Sequence, residues 1–330
     1  MTPIPLDTLV TVFGGSGFLG RHVVRALAKA GYRIRVAVRR PDLAGYLQPL
    51  GRVGQIHAVQ ANVRYPASVE AAARDADVVV NLVGILFERG RQKFDAVQAF
   101  GAEAVALAAA AFGARLVHVS AIGADEHATS HYARSKAMGE KLVLAAMPQA
   151  TILRPSVLFG QEDDFFNKFA AIARLSPALP LIGGGHTRFQ PVFAGDVASA
   201  VTAAIEDRTK DGTAEGKAYE LGGPEVKSFK ELMQYMLAII ERERLLVPLP
   251  FALAKFQASF LQLMPKPLLT PDQVELLRSD NVVSESAKRE GRTIEALGID
   301  PVAMETVVPS YLWRFRKAGQ YQSDRTTFVV

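Results

Sequence analysis

This 330-residue chain predicts an α/β fold, a doubly wound parallel sheet followed by a smaller α/β region at the C-terminal end. Three observations carry that expectation. Strand-like and helix-like segments alternate up to about residue 155, the signature of a parallel sheet with crossover helices. A glycine-rich turn, GGSGFLG at 14–20, stands between the first strand-like run and the first amphipathic one. Hydrophobic residues make up 49% and charged residues 22%, which supplies a large core and excludes a disordered chain.

The elements follow in order. TLVTVFGG (8–15) is a buried strand, FLGRHVVRALAKAG (18–31) an amphipathic helix ending at glycine, and YRIRVAVRR (32–40) an alternating second strand. Strands at 56–63, 77–84, 114–121 and 150–155 come next, separated by helical segments near 66–74, 94–112 and 130–147. Beyond 155 the regularity loosens. A helix near 164–174, a Gly/Pro-rich stretch at 176–192, a helix from Asp196, a strand at 217–223 and a helix at 228–243 are expected. EDRTKDGTAEGK (206–217) reads as a solvated loop.

The bulk numbers narrow the function. Without cysteine there are no disulfides, thiolate metal sites or cysteine nucleophiles, in keeping with a reducing compartment. The first strand comes so early that a leader peptide is not expected, which makes the cytoplasm the default location. A net charge of +5 and a pI near 9.4 suit an anionic partner such as a phosphate-bearing cofactor, or else describe an ordinary solvated surface. No stripe of basic and aromatic residues, recognition-helix or zinc-finger pattern points to nucleic acid. The apolar stretch at 245–269 is broken by four prolines and two lysines, so it is not a spanning helix. No His/Asp/Glu set has metal spacing, and His131 and His186, with no evident partner, fall to structure or solvent.

GGSGFLG supplies Gly14, Gly15, Ser16, Gly17, Phe18, Leu19 and Gly20, directly after a strand and directly before a helix. One glycine permits the tight turn, the next admits a pyrophosphate to the backbone, and the last lets helix and strand pack closely. That context makes the arrangement Rossmann-type. Arg39 and Arg40 stand where an NAD site would place an acid, so they favour the 2′-phosphate of NADP(H); the alternative is that they point to solvent. Asn62 and Val63 are candidates for the adenine, and Asn81, Val83 and Gly84 for the path to the nicotinamide, or each is strand-end packing. In HYARSK, Tyr132 and Lys136 share a helix face one turn apart, where an ammonium would draw the phenol pKa down towards neutrality. YxxxK alone is a common spacing.

Taken in order, GGSGFLG, DVVVNLVG, LVHVSAIGA, YARSK, LRPSVLFG, PVFAGDVASA and YELGGP resemble the short-chain dehydrogenase/reductase superfamily, extended or atypical branch, over nearly the whole chain. NLVG, HYARSKAMGE and LLTPDQVELLRSDNVV make it more narrowly similar to the NADPH-binding accessory subunits of respiratory complex I, the alpha-subcomplex subunit nine type, in a bacterial form. The resemblance implies a dinucleotide-binding domain over 1–155, with parts of 190–225 returning to it. It also implies a smaller domain over 156–330 with a docking surface and a tail at 316–330. Pro155, Ser156 and Val157 become the wall near the carboxamide, and Lys136 and Tyr132 bind the nicotinamide ribose. In one register Ser120 is the structural serine and the catalytic hydroxyl position falls on Ala121 or Ile122, which leaves Tyr132 and Lys136 without chemistry. A one-residue shift makes Ser120 catalytic.

Two functions follow from that choice. The preferred one is a non-catalytic subunit of proton-pumping NADH:quinone oxidoreductase that binds NADPH structurally and supports assembly. Its partners would be complex I subunits near the quinone-binding junction, and its place peripheral, on the cytoplasmic face of the inner membrane; Phe251, Phe256, Phe260, Leu261 and Leu263 as a group would face a partner or lipid headgroups, while core packing of a small cap is the better reading for any one of them. The alternative is an active NADP(H)-dependent reductase or epimerase acting on a small carbonyl or nucleotide-sugar. A weaker third reading is a sensor of the NADP(H) ratio.

Overall fold

The computed structural model describes residues 7–207, 209, 213–265, 267–317 and 319. The chain runs β1 (Leu9–Phe13), α1 (Phe18–Ala30), β2 (Arg33–Val38), β3 (Ile56–Gln60), α2 (Pro66–Ala73), β4 (Val78–Asn81), α3 (Phe100–Ala111), β5 (Arg115–Val119), α4 (His131–Ala146) and β6 (Thr151–Pro155). It continues through β7 (Leu158–Phe159), α5 (Phe166–Leu175), β8 (Ala178–Ile182), β9 (Arg188–Phe189), β10 (Val192–Phe193), α6 (Ala194–Glu206), β11 (Ala218–Leu221) and β12 (Lys227–Ser228). After α7 (Phe229–Ile239) come β13 (Leu245–Leu249), α8 (Phe251–Leu261) and α9 (Pro271–Leu276).

Seven strands form one parallel sheet in the order β11-β6-β5-β4-β1-β2-β3. Their valine-rich cores are buried on both faces, as a sheet covered by helices on each side requires. One layer packs Val23, Val24 and Leu27 of α1 and Val197 and Val201 of α6 against Val10, Val12 and Val36. The opposite layer packs Val69, Val105 and Val143 of α2, α3 and α4 against Phe13, Val79 and Leu116. Because the chain goes from β1 outward to β3 and then returns to β4 on the other side, the order reverses between β1 and β4. Crevices at such a point, outside the carboxyl ends of the strands, are where ligands sit.

The helix expected over 94–112 begins differently. Asp95–Ala99 is a π-turn, and regular α3 starts only at Phe100. The turn brings the Gln98 carbonyl against Gly139 of α4 so closely that no Cβ would fit there. It also sets Phe94 edge-on to the rings of His131 and Tyr132, at 5.5 and 5.8 Å. The Gly/Pro-rich stretch 176–192 holds β8, β9 and the start of β10, with β8 pairing in parallel with β13. A third core, built from Phe159, Phe166, Leu181, Phe229, Met233, Met236 and Tyr311, underlies this part of the chain. Among the described residues of 245–269 only Ala254 and Ala258 of α8 are fully buried, while Leu245, Phe256, Phe260 and Leu263 are exposed. Among the described residues no helix is long and apolar enough to cross a membrane. Of the expected tail, residues 318 and 320–330 lie outside the described residues, as do 208 and 210–212 of the expected loop.

Candidate dinucleotide-binding site

The carboxyl ends of β1 to β4 open on a cleft of about 230 Å³. Gly14, Ser16 and Gly17 line it from the first turn, Arg39 from the end of β2, Asn62, Val63 and Arg64 from the end of β3, and Val83 and Gly84 from the end of β4. Helix α1 starts here from Gly17, with no side-chain cap and no acid in its first turn. Its first amides are therefore unopposed, and the helix dipole adds positive potential, which makes the turn a seat for an anion. Gly14 has φ +80°, and a Cβ on Gly20 would strike the Gly14 carbonyl oxygen and stand 2.6 Å from the Gly15 carbonyl carbon. Gly15 faces inward against Val36, and Phe18 packs edge-on to His22, so these two and Leu19 shape the turn from behind and do not line the cleft. Tyr46, on a turn absent from the expected elements, donates its hydroxyl to the Ser16 carbonyl at 2.6 Å and braces the loop from outside.

The two arginines part company. Arg39 lines the cleft and has no hydrogen-bonding or ionic partner among the described residues. Arg40 does not line it; its guanidinium turns to Asp42, donating at 2.9 to 3.3 Å. Of the expected pair, only Arg39 lines the cleft, while Arg40 is bonded to an acid two residues on. The second basic side chain in the cleft is Arg64, which the sequence did not single out. It donates to the Arg91 carbonyl at 3.1 Å and stacks near Tyr65. Asn62 spends its acceptor on the Arg64 amide at 3.2 Å, which leaves its amide nitrogen for a ligand.

At the far end, Lys136 reaches in from α4, with its ammonium 3.5 Å from where a Cβ on Gly84 would be. It is buried and makes one long bond, 3.3 Å, to the Val119 carbonyl. Burial pushes its pKa down to about 8, with the Glu140 carboxylate opposing. Tyr132, on the same face, moves opposite to the sequence expectation. Burial and then the negative charge of Asp272 push its phenol up to about 12, so a neutral hydroxyl replaces the expected near-neutral acid. The Ser120 hydroxyl is buried without a partner among the described residues. On β5, His118 is held near 3 by burial and by Lys136; Asn81 donates to its Nδ1 at 3.1 Å, so Nε2 carries the proton, unpaired. His131, expected to lack a partner, bonds Asp95 at 3.0 Å across the π-turn.

Pro155, Ser156 and Val157 flank this end, but their polar groups are already engaged. The Pro155 carbonyl accepts from the Ile122 amide at 3.0 Å, and both the Ser156 hydroxyl and the Val157 amide donate to Asn281. Asn281 and Asp272 lie more than 120 residues away in sequence, inside the segment LLTPDQVELLRSDNVV that carries the narrower resemblance, but no spacing there shows what they touch. Chemically, a glycine anion seat, a free guanidinium and buried hydroxyl and ammonium donors fit a pyrophosphate, a further phosphate and ribose hydroxyls in one line.

The fold is an α/β fold of short-chain dehydrogenase/reductase type. The chain belongs to the NAD dependent epimerase/dehydratase family, whose model matches residues 10–222. It is 37% identical over 323 residues to NADH dehydrogenase [ubiquinone] 1 alpha subcomplex subunit 9, mitochondrial, of Arabidopsis thaliana, covering 94% of this chain and 79% of that protein. It is also 38% identical over 174 residues to the ceramide reductase of Caulobacter vibrioides, covering 53% and 54%. Among solved structures, the crystal structure of gox2253 superposes with a TM-score of 0.71 at 19% identity, over 95% of this chain and 99% of that one.

Proposed function

We propose that this protein is an accessory subunit of proton-pumping NADH:quinone oxidoreductase that holds NADPH as a structural cofactor and supports assembly. The observation that carries the reading is the 37% identity to a complex I subunit over nearly the whole chain. NADPH is favoured over NADH by Arg39, unpartnered at the adenosine end with Arg64 close by. When bound, the nicotinamide would offer a hydride. Lys136 and Ser120 would donate to its ribose, and Tyr132, kept as a neutral phenol, would hold a hydroxyl there without driving chemistry. Residues 1–155 form the dinucleotide-binding domain in this reading. The return of α6 onto α1 and of β11 beside β6 supports including parts of 190–225. Residues 156–330 then carry the docking surface, where Phe256, Phe260 and Leu263 stand exposed beside Lys255, in keeping with a peripheral position near the quinone junction on the cytoplasmic face. Purification in mild detergent through a tag on this chain tests it: complex I subunits should co-purify, and a freely soluble monomer would refute it.

The reductase relative favours a second reading, an NADP(H)-dependent reductase using Tyr132 as acid and Ser120 as third member. It requires that a carbonyl substrate oxidise NADPH and that Tyr132→Phe abolish this. A panel of carbonyls that leaves nicotinamide fluorescence unchanged would remove it.

A further inference from the structure

We propose that residues 270–283 are a built-in occupant of the place a carbonyl substrate would take, with Asn281 filling it and Asp272 anchoring it. The segment starts with a capping box at α9, where Thr270 Oγ1 accepts from the Gln273 amide and Gln273 Oε1 from the Thr270 amide, both at 3.2 Å. Asp272 then accepts three bonds from the start of α4: Ser130 Oγ at 2.8 Å, the His131 amide at 2.6 Å and the Tyr132 amide at 3.1 Å. The anchor is therefore on the very turn that carries the phenol.

Nine positions on, Asn281 bridges the ends of β5 and β6. Its Oδ1 accepts from Ser156 Oγ at 2.7 Å and from the Val157 amide at 2.9 Å, and its Nδ2 donates to the Ile122 carbonyl at 3.3 Å. Its backbone is fixed as well, donating to the Arg188 carbonyl at 2.8 Å and accepting from the Gln190 amide at 3.0 Å. Val283 closes the other side, buried with Ile122 and Ala287. Ile122 stands two residues beyond Ser120 at the end of β5, and Asp272 holds the turn that carries Tyr132. A carbonyl approaching the nicotinamide end would have to displace a carboxamide whose donor and acceptor are both satisfied, and each polar group left unpaired would cost free energy. The cleft thus admits the dinucleotide from the β1–β4 side and excludes a second substrate from the β5–β6 side. Asn281 is a positioning residue in this account; it touches no reacting atom.

The inference rests on the reading that the cleft binds NADPH, and the test separates the two. Quenching of bound NADPH fluorescence by acrylamide, a small neutral carbonyl compound, reads access to the nicotinamide in the full chain. Wild type should resist quenching, and Asn281→Gly should be quenched severalfold more readily with little change in NADPH affinity. Asn281→Ser, which keeps an oxygen acceptor, serves if the glycine variant does not fold. Equal quenching in variant and wild type, wild-type quenching as easy as that of free NADPH, or failure of both variants to fold would each overturn the inference. If wild type binds no NADPH the proposed function fails instead, and amide hydrogen exchange decides the inference. The Val157 amide should be protected in wild type and exchange faster in Asn281→Gly, and unchanged protection would refute it.

Discussion

Lys136 keeps its ammonium in a nearly dry setting, and this fixes how the site responds to pH. Its folded pKa, about 8, lies below the ordinary 10.5, so between those values the unfolded chain holds a proton that the folded one has lost. Stability without cofactor should therefore gain from this group as pH rises through that window. Cofactor affinity should move the other way, because the ribose loses its charged donor above pH 8. Titrating NADPH binding from pH 7 to 9.5 is expected to show that fall, and Lys136→Met to flatten it. At the adenosine end, Arg39→Ala should weaken NADPH by about 1 kcal/mol, roughly fivefold, and leave NADH unchanged, while Arg40→Ala should alter neither. Competition binding of the two dinucleotides checks both. The arginine pair was legible in the sequence, but which of the two lines the cleft was not. That choice belongs to Asp42, whose carboxylate captures Arg40. The Tyr132 shift was missed for a related reason. The sequence shows the lysine one turn away, yet burial raises the phenol and the Asp272 charge from α9 adds to it, while Lys136 turns to the Val119 carbonyl.

At the scale of elements, the parallel strands and their helices were readable because valine runs and 3.6-residue periodicity are local. The junction of β1 and α1 was readable too, since glycine at 14, 17 and 20 is a backbone requirement. Gly20→Ala should force the helix off the strand and destabilise the fold by about 1 to 3 kcal/mol, measured by urea unfolding, with NADPH affinity falling alongside. What stayed hidden were the π-turn before α3 and the pairing of β8 with β13. The first depends on how closely α4 approaches at Gly139, the second on a partner strand more than sixty residues on. Asp272 lies in the segment 268–283 that carries the resemblance, but its contact with the start of α4 was not readable. Its removal as Asp272→Ala should fray the first turn of α4, at about 0.5 to 2 kcal/mol, and appear as faster hydrogen exchange at the His131 and Tyr132 amides.

For the whole molecule, a dinucleotide held as proposed would span groups from β1 to β5 and α4, so its binding should tie the two halves of the sheet together. Present at a hundredfold excess over its Kd it would add about 2.7 kcal/mol to stability, seen as a rise in melting temperature that Arg39→Ala and Lys136→Met reduce. The most direct measurement is to purify the tagged chain in mild detergent and count both complex I subunits and nicotinamide dinucleotide per chain. The account expects the assembled complex with one NADP(H) on each copy of this subunit. Recovery of a lone polypeptide, or of the complex with this cleft holding no dinucleotide, would contradict it.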